Sequence, residues 1–577
     1  MHKLKKSTHL ALIVVVILSW HCTSSPYLHA DDNVSDEARD QLISQAEIFR
    51  KESPPQKNPE EKPEIIEEKK KEEPAQAAGA SFFVKKIDLE GNTIFSYDQL
   101  KKYLTPYEDQ KVSFDNIKKV AQQITAHYRS KGFTTSRAYV PPQEITNNVV
   151  TINVVEGKVG RVFIENNRYF KNILYTDAIH IRRDRIFQYR DIETSLYYLN
   201  DKPDRKAKVY LMSGDQPSTS DLVLKAEEKN PLHMQYEFNN RGTTLTHHAR
   251  HILSMTHNNL LGLGDTFNAG LAMAEEGAFT GGSFGYALPI EKTRTTLGLD
   301  ASVSRSRIVK DLKPLDVKGQ SWNITPSVTQ NFVRSLRLSL DGFLGLEIKD
   351  SKTTISDSKI NFDRMRVLKL GPRLTVRDAY GKTFVSGDFH VGIPNFLGSL
   401  DNNDPRASRN GTGGEFTYFT FRLSRVNRLP FSSFMVLRGN LQTTRDSLTS
   451  LEQYRLGGAY TVRGYPESSA SGDYGFNFSS ELNIPVPFVS QNSSIPKIKK
   501  RWVDALRLVG FIDGGKTYIL ERYAPTTEKD HFLLGAGFGL RVNLNEYFSV
   551  QSDFGFPIAN DSEEDPMQVH LSVRCGF

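Results

Sequence analysis

From about Pro231 to Phe577 the chain alternates apolar and polar residues. Leu336, Leu338, Leu340, Gly342, Leu344, Leu346 and Ile348 interleave with Arg337, Ser339, Asp341, Phe343, Gly345, Glu347 and Lys349. Leu297, Leu299, Ala301 and Val303 repeat the scheme against Gly298, Asp300, Ser302 and Ser304, and Val385 to Ile393 and Val569 to Phe577 do so again. A period of two places neighbouring side chains on opposite faces of a strand. At about 3.3 Å per residue such strands cross a bilayer core when tilted about 45°. A soluble two-sheet protein also alternates, but its strands are shorter, and charges such as Glu347 and Lys349 in mid-run suit a watery lumen better than a dry core. Polar breaks such as Asp401-Asn402-Asn403-Asp404 separate the strands. At about 20 residues per strand and turn, residues 231–577 accommodate a transmembrane antiparallel β-barrel of roughly 16 strands.

Composition fits this reading. Charged residues make up 24% and hydrophobic ones 38%, which excludes a polytopic helical membrane protein with its apolar runs of about 20 residues. A barrel wall meets lipid only at every second residue. The formal net charge of +7 is small and dispersed, so no nucleic-acid partner is expected.

Lys3, Lys5 and Lys6 precede an apolar run from Leu10 to Leu18, and Leu28-His29-Ala30 closes the segment. This predicts a signal peptide over 1–30 and export from the cytoplasm. Of the two cysteines, Cys22 falls in that segment, so neither an internal disulfide nor a cysteine metal site is expected. Residues 31–50 hold an amphipathic helix, capped by Ser35, with Ala38, Leu42, Ala46 and Phe49 on one face. Residues 51–80 form a charged, Pro-rich linker that buries too little apolar surface to order itself.

Two small α+β modules follow, over 81–158 and 159–230, and read as a degenerate tandem repeat. In the first, Ser113 caps a helix with Ile117, Val120, Ala121, Ile124 and Tyr128 on its apolar face, and Gly132 stops it. Arg137 to Val140 and Val149 to Val155 are strands, and Pro141-Pro142 leaves an edge without donors. In the second, Val162 to Ile164, Lys206 to Met212 and Asp221 to Ala226 are strands, and Ile192, Leu196 and Leu199 mark a helix.

No phosphate-binding loop and no zinc-protease helix is present. Gly281-Gly282-Ser283-Phe284-Gly285 matches a nucleophile elbow by letter, but it sits in alternating β sequence with no helix after it. The chain therefore reads as no enzyme, with no catalytic residues, cofactor or metal. The sharpest feature is Val462-Arg463-Gly464-Tyr465, inside a segment rich in Gly and Ser between two β regions. Asp513, in Phe511-Ile512-Asp513-Gly514-Gly515, projects to the same strand face as Phe511. If the loop folds back into the lumen, an Arg463–Asp513 pair fastens it. Otherwise an exposed arginine and a lumen aspartate never meet.

Together these features resemble the two-partner secretion translocators, the outer-membrane partners of haemolysins and filamentous haemagglutinins. Tyr128 to Phe133 with Ala138 to Gln143, and Val154-Val155-Glu156-Gly157, are similar to that family's first POTRA module. Leu199-Asn200-Asp201 and Ser218 to Leu222 are similar to its second, and Asn239 to Gly242 with Asn258 to Asp265 to its first barrel hairpin. The resemblance implies a bacterial outer-membrane translocator, with its N-terminal modules in the periplasm, that exports, and can activate, a large haemolysin- or adhesin-type exoprotein. Val462, Arg463, Gly464, Tyr465, Phe511, Asp513 and Gly515 would form the lumen loop and gate. Tyr139, Val140, Pro141, Pro142 and Gln143 would contact the unfolded client by strand addition. Phe577 would be the signal read by the barrel-assembly machinery, the 31–50 helix would plug the pore, and the protein would be a monomer in outer-membrane lipid. The alternative within the same superfamily is a factor that inserts other barrels into the membrane.

Overall fold

The computed structural model describes residues 65–67 and 81–577, apart from 180, 182, 357, 488, 490–492, 497–499, 521–529, 546, 560–565 and 577. The expected signal peptide, the 31–50 helix and Phe577 lie outside the described residues. The chain divides into two compact units, one ending at Asn230 and one running from Pro231 to Phe577.

In the first unit, the 82–157 module contains β2 (Phe82–Val84), β3 (Lys86–Glu90), α1 (Tyr97–Leu104), β4 (Gln110–Val112), α2 (Phe114–Ser130), β5 (Arg137–Tyr139) and β6 (Val149–Val155), following β1 (Ile65–Glu67) upstream. The Ser113 hydroxyl accepts from the Asn116 amide and caps α2, and Gly132 at φ +90° ends it. α2 buries Ile117, Val120, Ala121, Ile124 and Tyr128 against β3 and β6. The sheet runs β3-β6-β5, so β5 is an edge strand. The β2–β4 pair has three residues on each side, too few for any period to reveal.

The next module is β7 (Lys158–Glu165), α3 (Asn172–Ala178), α4 (Tyr189–Asn200), β8 (Arg205–Ser213) and β9 (Thr219–Glu228), with sheet order β1-β8-β9-β7. β1 comes from the Pro-rich segment and lies parallel to β8, Ile65 opposite Val209 and Ile66 opposite Tyr210. The β8 edge supplies the backbone partners of these three residues.

The same hydrogen-bond device recurs in both modules. In the first, Asn92 Nδ2 donates to the Phe95 carbonyl at 2.9 Å, and Glu156 accepts from the Thr93 and Ile94 amides at 2.8 Å and from Tyr128 Oη at 2.7 Å. In the second, Asn167 Nδ2 donates to the Phe170 carbonyl at 2.9 Å, and Glu228 accepts from the Arg168 and Tyr169 amides at 2.7 and 2.5 Å and from Tyr175 Oη at 2.5 Å. In each, a carboxylate just beyond or at the end of the last strand ties down the loop after the first long one. The tyrosine comes from different helices, α2 and α3, which is why letter matching alone leaves the repeat faint.

In the second unit, 16 strands among the described residues close into an antiparallel barrel. They begin with β10 (Leu232–Asn239), β11 (Arg250–His257), β12 (Thr266–Met273), β13 (Phe279–Ile290), β14 (Thr295–Arg307) and β15 (Val317–Arg334). β16 (Leu338–Ile355) and β17 (Ser358–Asp378) follow, then β18 (Gly381–Gly392), β19 (Thr417–Arg428) and β20 (Phe434–Thr444). After the hairpin strands β21 (Tyr454–Leu456) and β22 (Ala470–Gly472) come β23 (Tyr474–Pro485), the short helix α5 (Trp502–Ala505), β24 (Leu506–Tyr518), β25 (His531–Asn543), β26 (Phe548–Pro557) and β27 (Gln568–Gly576). β27 returns to pair with β10, Gly576 opposite Gln235.

The barrel is polar inside and apolar outside. On β23, Asn477, Ser479, Glu481 and Asn483 are buried, whereas Phe476, Phe478, Leu482 and Ile484 are exposed. A soluble protein would reverse this. The pattern fits a wall with lipid outside and a hydrated lumen inside, and no helix among the described residues is long and apolar enough to cross a membrane.

Candidate functional site in the barrel lumen

The segment between β20 and β23 folds back on itself. β21 and β22 pair as an antiparallel stem, Tyr454 opposite Gly472. Gly457, Gly458 and Gly464 take φ near +100°, a backbone that side chains disfavour. Val462 and Tyr465 are buried with Tyr454, Leu456, Ala470 and Leu533. Gly515 lets the stem approach its wall, because a Cβ there would stand 3.0 Å from Leu456 Cδ2.

Arg463 at the tip is buried among carboxylates. Its Nε donates to Asp513 Oδ2 at 2.7 Å and its Nη2 to Asp513 Oδ1 at 3.0 Å, a planar two-pronged contact. The Arg463 backbone amide also donates to Asp513, at 3.1 Å. Nη1 donates to Glu481 at 2.7 Å and lies 3.5 Å from Asp553. The guanidinium stacks 3.5 Å from the Phe511 ring centroid. Arg541 shares the carboxylates, donating to Asp553 at 2.6 and 3.0 Å and to Glu481 at 3.4 Å. Buried charges persist only when paired and hydrogen-bonded, and here β23, β24 and β26 each contribute one carboxylate.

Of the two arrangements the sequence leaves open, the structure holds the inward one: Arg463, Gly464, Tyr465, Phe511 and Asp513 meet at one wall. Tyr465 Oη donates to the Ala559 carbonyl at 2.6 Å. Gly464 presses on β26, where a Cβ would lie 2.9 Å from the Phe556 carbonyl carbon. Sequence reasoning passes over Glu481, Asp553 and Arg541, because mid-strand charges recur throughout the barrel and only the loop's position selects these three. It also passes over Tyr460, which Arg241 meets by a hydrogen bond and a 4.6 Å ring contact. Arg241 lies 3.9 Å from Glu237 of β10, and Glu237 pairs at 2.8 Å with Arg574 of β27. The loop thus reaches the strand seam where the barrel closes.

In the first module, Tyr139 ends the edge strand β5 and is exposed. Val140 packs partly into the core, and Pro142 and Gln143 are exposed. The Gln143 amide is engaged: its Nε2 donates to the Thr151 carbonyl at 2.7 Å and its Oε1 accepts the Thr151 amide at 2.8 Å. Beyond the end of β5, this side chain takes the place of a neighbouring strand on β6.

Residues 218–542 match the family described as haemolysin secretion/activation protein ShlB/FhaC/HecB, and residues 82–157 match the ShlB-type POTRA domain. The heme/hemopexin transporter protein HuxB of Haemophilus influenzae (strain 86-028NP) is 24% identical over 496 residues, covering 83% of this chain and 84% of its own. The outer membrane transporter CdiB of Dickeya dadantii (strain 3937) is 22% identical over 508 residues, covering 86% and 87%. Among solved structures, CdiB from Escherichia coli aligns with a TM-score of 0.70 at 19% identity, over 96% of this chain and 100% of that one. BamA from Haemophilus ducreyi lacking POTRA domains 1–3 aligns with a TM-score of 0.53 at 14% identity, over 86% and 100%.

Proposed function

The chain belongs to the ShlB/FhaC/HecB haemolysin secretion/activation family, and on that premise we propose that its lumen loop gates the export of one large exoprotein. It is an outer-membrane β-barrel transporter with periplasmic POTRA modules, and it works with a secreted exoprotein. Extended polypeptide enters from the periplasm, where exposed strand edges such as β5 offer hydrogen-bonding backbone for strand addition. It then passes the lumen and folds outside, and that folding gives the movement its direction. Arg463 and Asp513, with Val462, Gly464, Tyr465, Phe511 and Gly515 shaping the tip and its seat, hold the loop across the path at rest. Tyr139 to Gln143 receive the client, Gln143 by yielding the Thr151 backbone groups that its amide occupies. The barrel-assembly machinery reads Phe577, and a single copy suffices.

The observation that carries this reading is the inside-out barrel with a charged loop tip buried against its inner wall. Deleting the protein tests it. Loss of one large secreted exoprotein, with other outer-membrane barrels at normal levels, is the expected result. A broad loss of many barrels would favour the insertion-factor alternative. Deleting Phe577 is expected to lower the outer-membrane level of the protein, and an unchanged level would remove that residue from the account.

A further inference from the structure

The turn between β11 and β12 is apolar where a hairpin tip in water would be polar. Leu260, Leu261 and Leu263 are all exposed, Leu261 by 60%. Gly262 and Gly264 take φ +75° and +70° and fold the chain tightly. The turn's amides find partners inside it. Asp265, fully buried, accepts from the Leu261 and Leu263 amides at 3.1 Å. Asn259 accepts from the Gly264 amide at 2.8 Å on its side chain and from the Gly262 amide at 3.3 Å on its carbonyl. Four amides are thus satisfied within the protein while three leucines stand exposed. Backbone groups need such internal partners where water is scarce.

The turn between β19 and β20 shares this character. Phe431 is 82% exposed, more than any other large apolar side chain among the described residues. Phe431 and Ser432 both take φ +58°, the pattern of a type I′ turn, which Asn-Gly fills by preference. A bulky residue is strained there, so the ring is kept at the tip against a local penalty, and such strain points to a function. Pro430 brings no N–H, its carbonyl accepts the Ser433 amide at 3.2 Å, and the Ser432 carbonyl accepts Arg507 Nη1 at 2.9 Å.

Both turns lie on one rim. The Asn258 amide donates to the Pro231 carbonyl at 2.9 Å and His257 stands opposite Leu232, so the β11–β12 turn sits where the chain enters the barrel. Wall strands alternate in direction, and β11 is the second and β19 the tenth in a ring of 16. The β19–β20 turn is therefore on the same rim, eight places away and across the barrel. That rim is the periplasmic one, because the POTRA modules precede β10. Apolar tips are not general there: the β13–β14 turn reads Glu291-Lys292-Thr293-Arg294. The outer wall leading to the first turn is apolar as well, with Leu253 of β11 opposite Leu271 of β12 and both exposed.

We propose that these two turns are opposed lipid anchors, seated at the boundary of headgroups and acyl chains in the inner leaflet, which fix the height of the barrel at opposite points of its rim. The partner is phospholipid: the first tip continues a wall that faces hydrocarbon, and both tips pair backbone groups within the protein. Apolar side chains at that depth gain by leaving water, whereas the charged 291–294 turn stays in the aqueous layer. The anchors contact lipid and not the client, so the proposal is independent of what the barrel exports.

The test places a nitroxide label on Leu261→Cys, Phe431→Cys and Thr293→Cys, one at a time, in full-length protein carrying Cys22→Ser and Cys575→Ser. Each protein is reconstituted into vesicles of phosphatidylethanolamine and phosphatidylglycerol, and heat-modifiable mobility reports that the barrel has folded. Collision of the label with oxygen, which concentrates among acyl chains, is compared with collision with a water-soluble nickel chelate. The oxygen-to-nickel ratio is expected to be several-fold higher at Leu261 and Phe431 than at Thr293, and similar at the two tips. A ratio at either tip equal to that at Thr293 overturns the opposed pair. Low collision with both reagents also overturns it, since protein would then cover the tip. Should a labelled variant fail to fold, the native chain decides, in vesicles carrying a phospholipid with a photoactivatable group near the glycerol. Crosslinked lipid mapped by residue should fall on Leu260 to Leu263 and on Phe431 but not on Thr293, and its absence from either tip overturns the proposal.

Discussion

Gly535 of β25 lies so close to the Arg463 carbonyl that a Cβ on it would stand 1.9 Å from that oxygen. Gly555 of β26 meets the loop in the same way, with 2.4 Å from such a Cβ to the Gly464 amide. The wall is bare backbone where the tip rests, and the charge cluster is reachable because of it.

Gly535→Ala is therefore expected to lift the tip while leaving the barrel intact. Forcing a methyl group into a packed site costs about 1–3 kcal/mol, and the tip is the part with room to yield. Hydrogen exchange in detergent should show faster exchange at Val462 to Tyr465 with strand protection unchanged. Native protection at the tip would mean that the seat tolerates a side chain.

The Arg463 series separates charge from geometry. Arg463→Ala leaves Asp513 buried without its cation, a loss of about 3–5 kcal/mol when one partner of a buried pair is removed. Arg463→Lys keeps the charge but cannot supply the planar fork that takes both Asp513 oxygens and Glu481 at once. Folded barrel is expected for both, export lost for Ala and partly retained for Lys. Native-level export by Arg463→Lys would show that charge alone holds the tip.

Legibility in the sequence followed the size of the periodic signal. Long strands such as β16 and the cap-to-glycine span of α2 were readable, because burial on one face repeats over many residues. Arg463 and Asp513 were nameable as partners without proof that they meet, since the fold-back of the loop depends on glycines whose clearances appear only in three dimensions. β4, α3 and β1 were not readable. Each is short, and β1 takes its backbone partners from the β8 edge. Glu481 and Asp553 look like any lumen charge until a loop lands on them.

Gln143 offers a test of strand addition. Its side chain satisfies both backbone groups of Thr151, the groups an incoming client strand would use at that point. Gln143→Ala frees them. Crosslinking of an extended, strand-forming peptide to the β6 edge should rise in the variant. A fall would mean that Gln143 contacts the client directly, and no change would mean that the client binds elsewhere.

Glu156 makes the first module sensitive to acid. Burial pushes its carboxyl up, but hydrogen bonds from Ile94, Thr93 and Tyr128 outweigh that and hold it below the ordinary range. In the unfolded chain the group titrates near the usual value of about 4.3. A folded value below the unfolded one contributes stability that is complete above the unfolded value and is lost as pH falls through the folded one. Pepsin cleavage within residues 82–157 of the detergent-solubilised full chain should therefore rise as pH drops below about 4. Glu156→Gln keeps the shape but replaces a charged acceptor with a neutral one and turns one oxygen into an amide donor facing donors. Such an unmatched buried polar group costs about 1–3 kcal/mol. The variant should be cleaved faster at pH 5 and lose the further rise below pH 4. A variant that matches the native profile would transfer the acid response to another carboxylate.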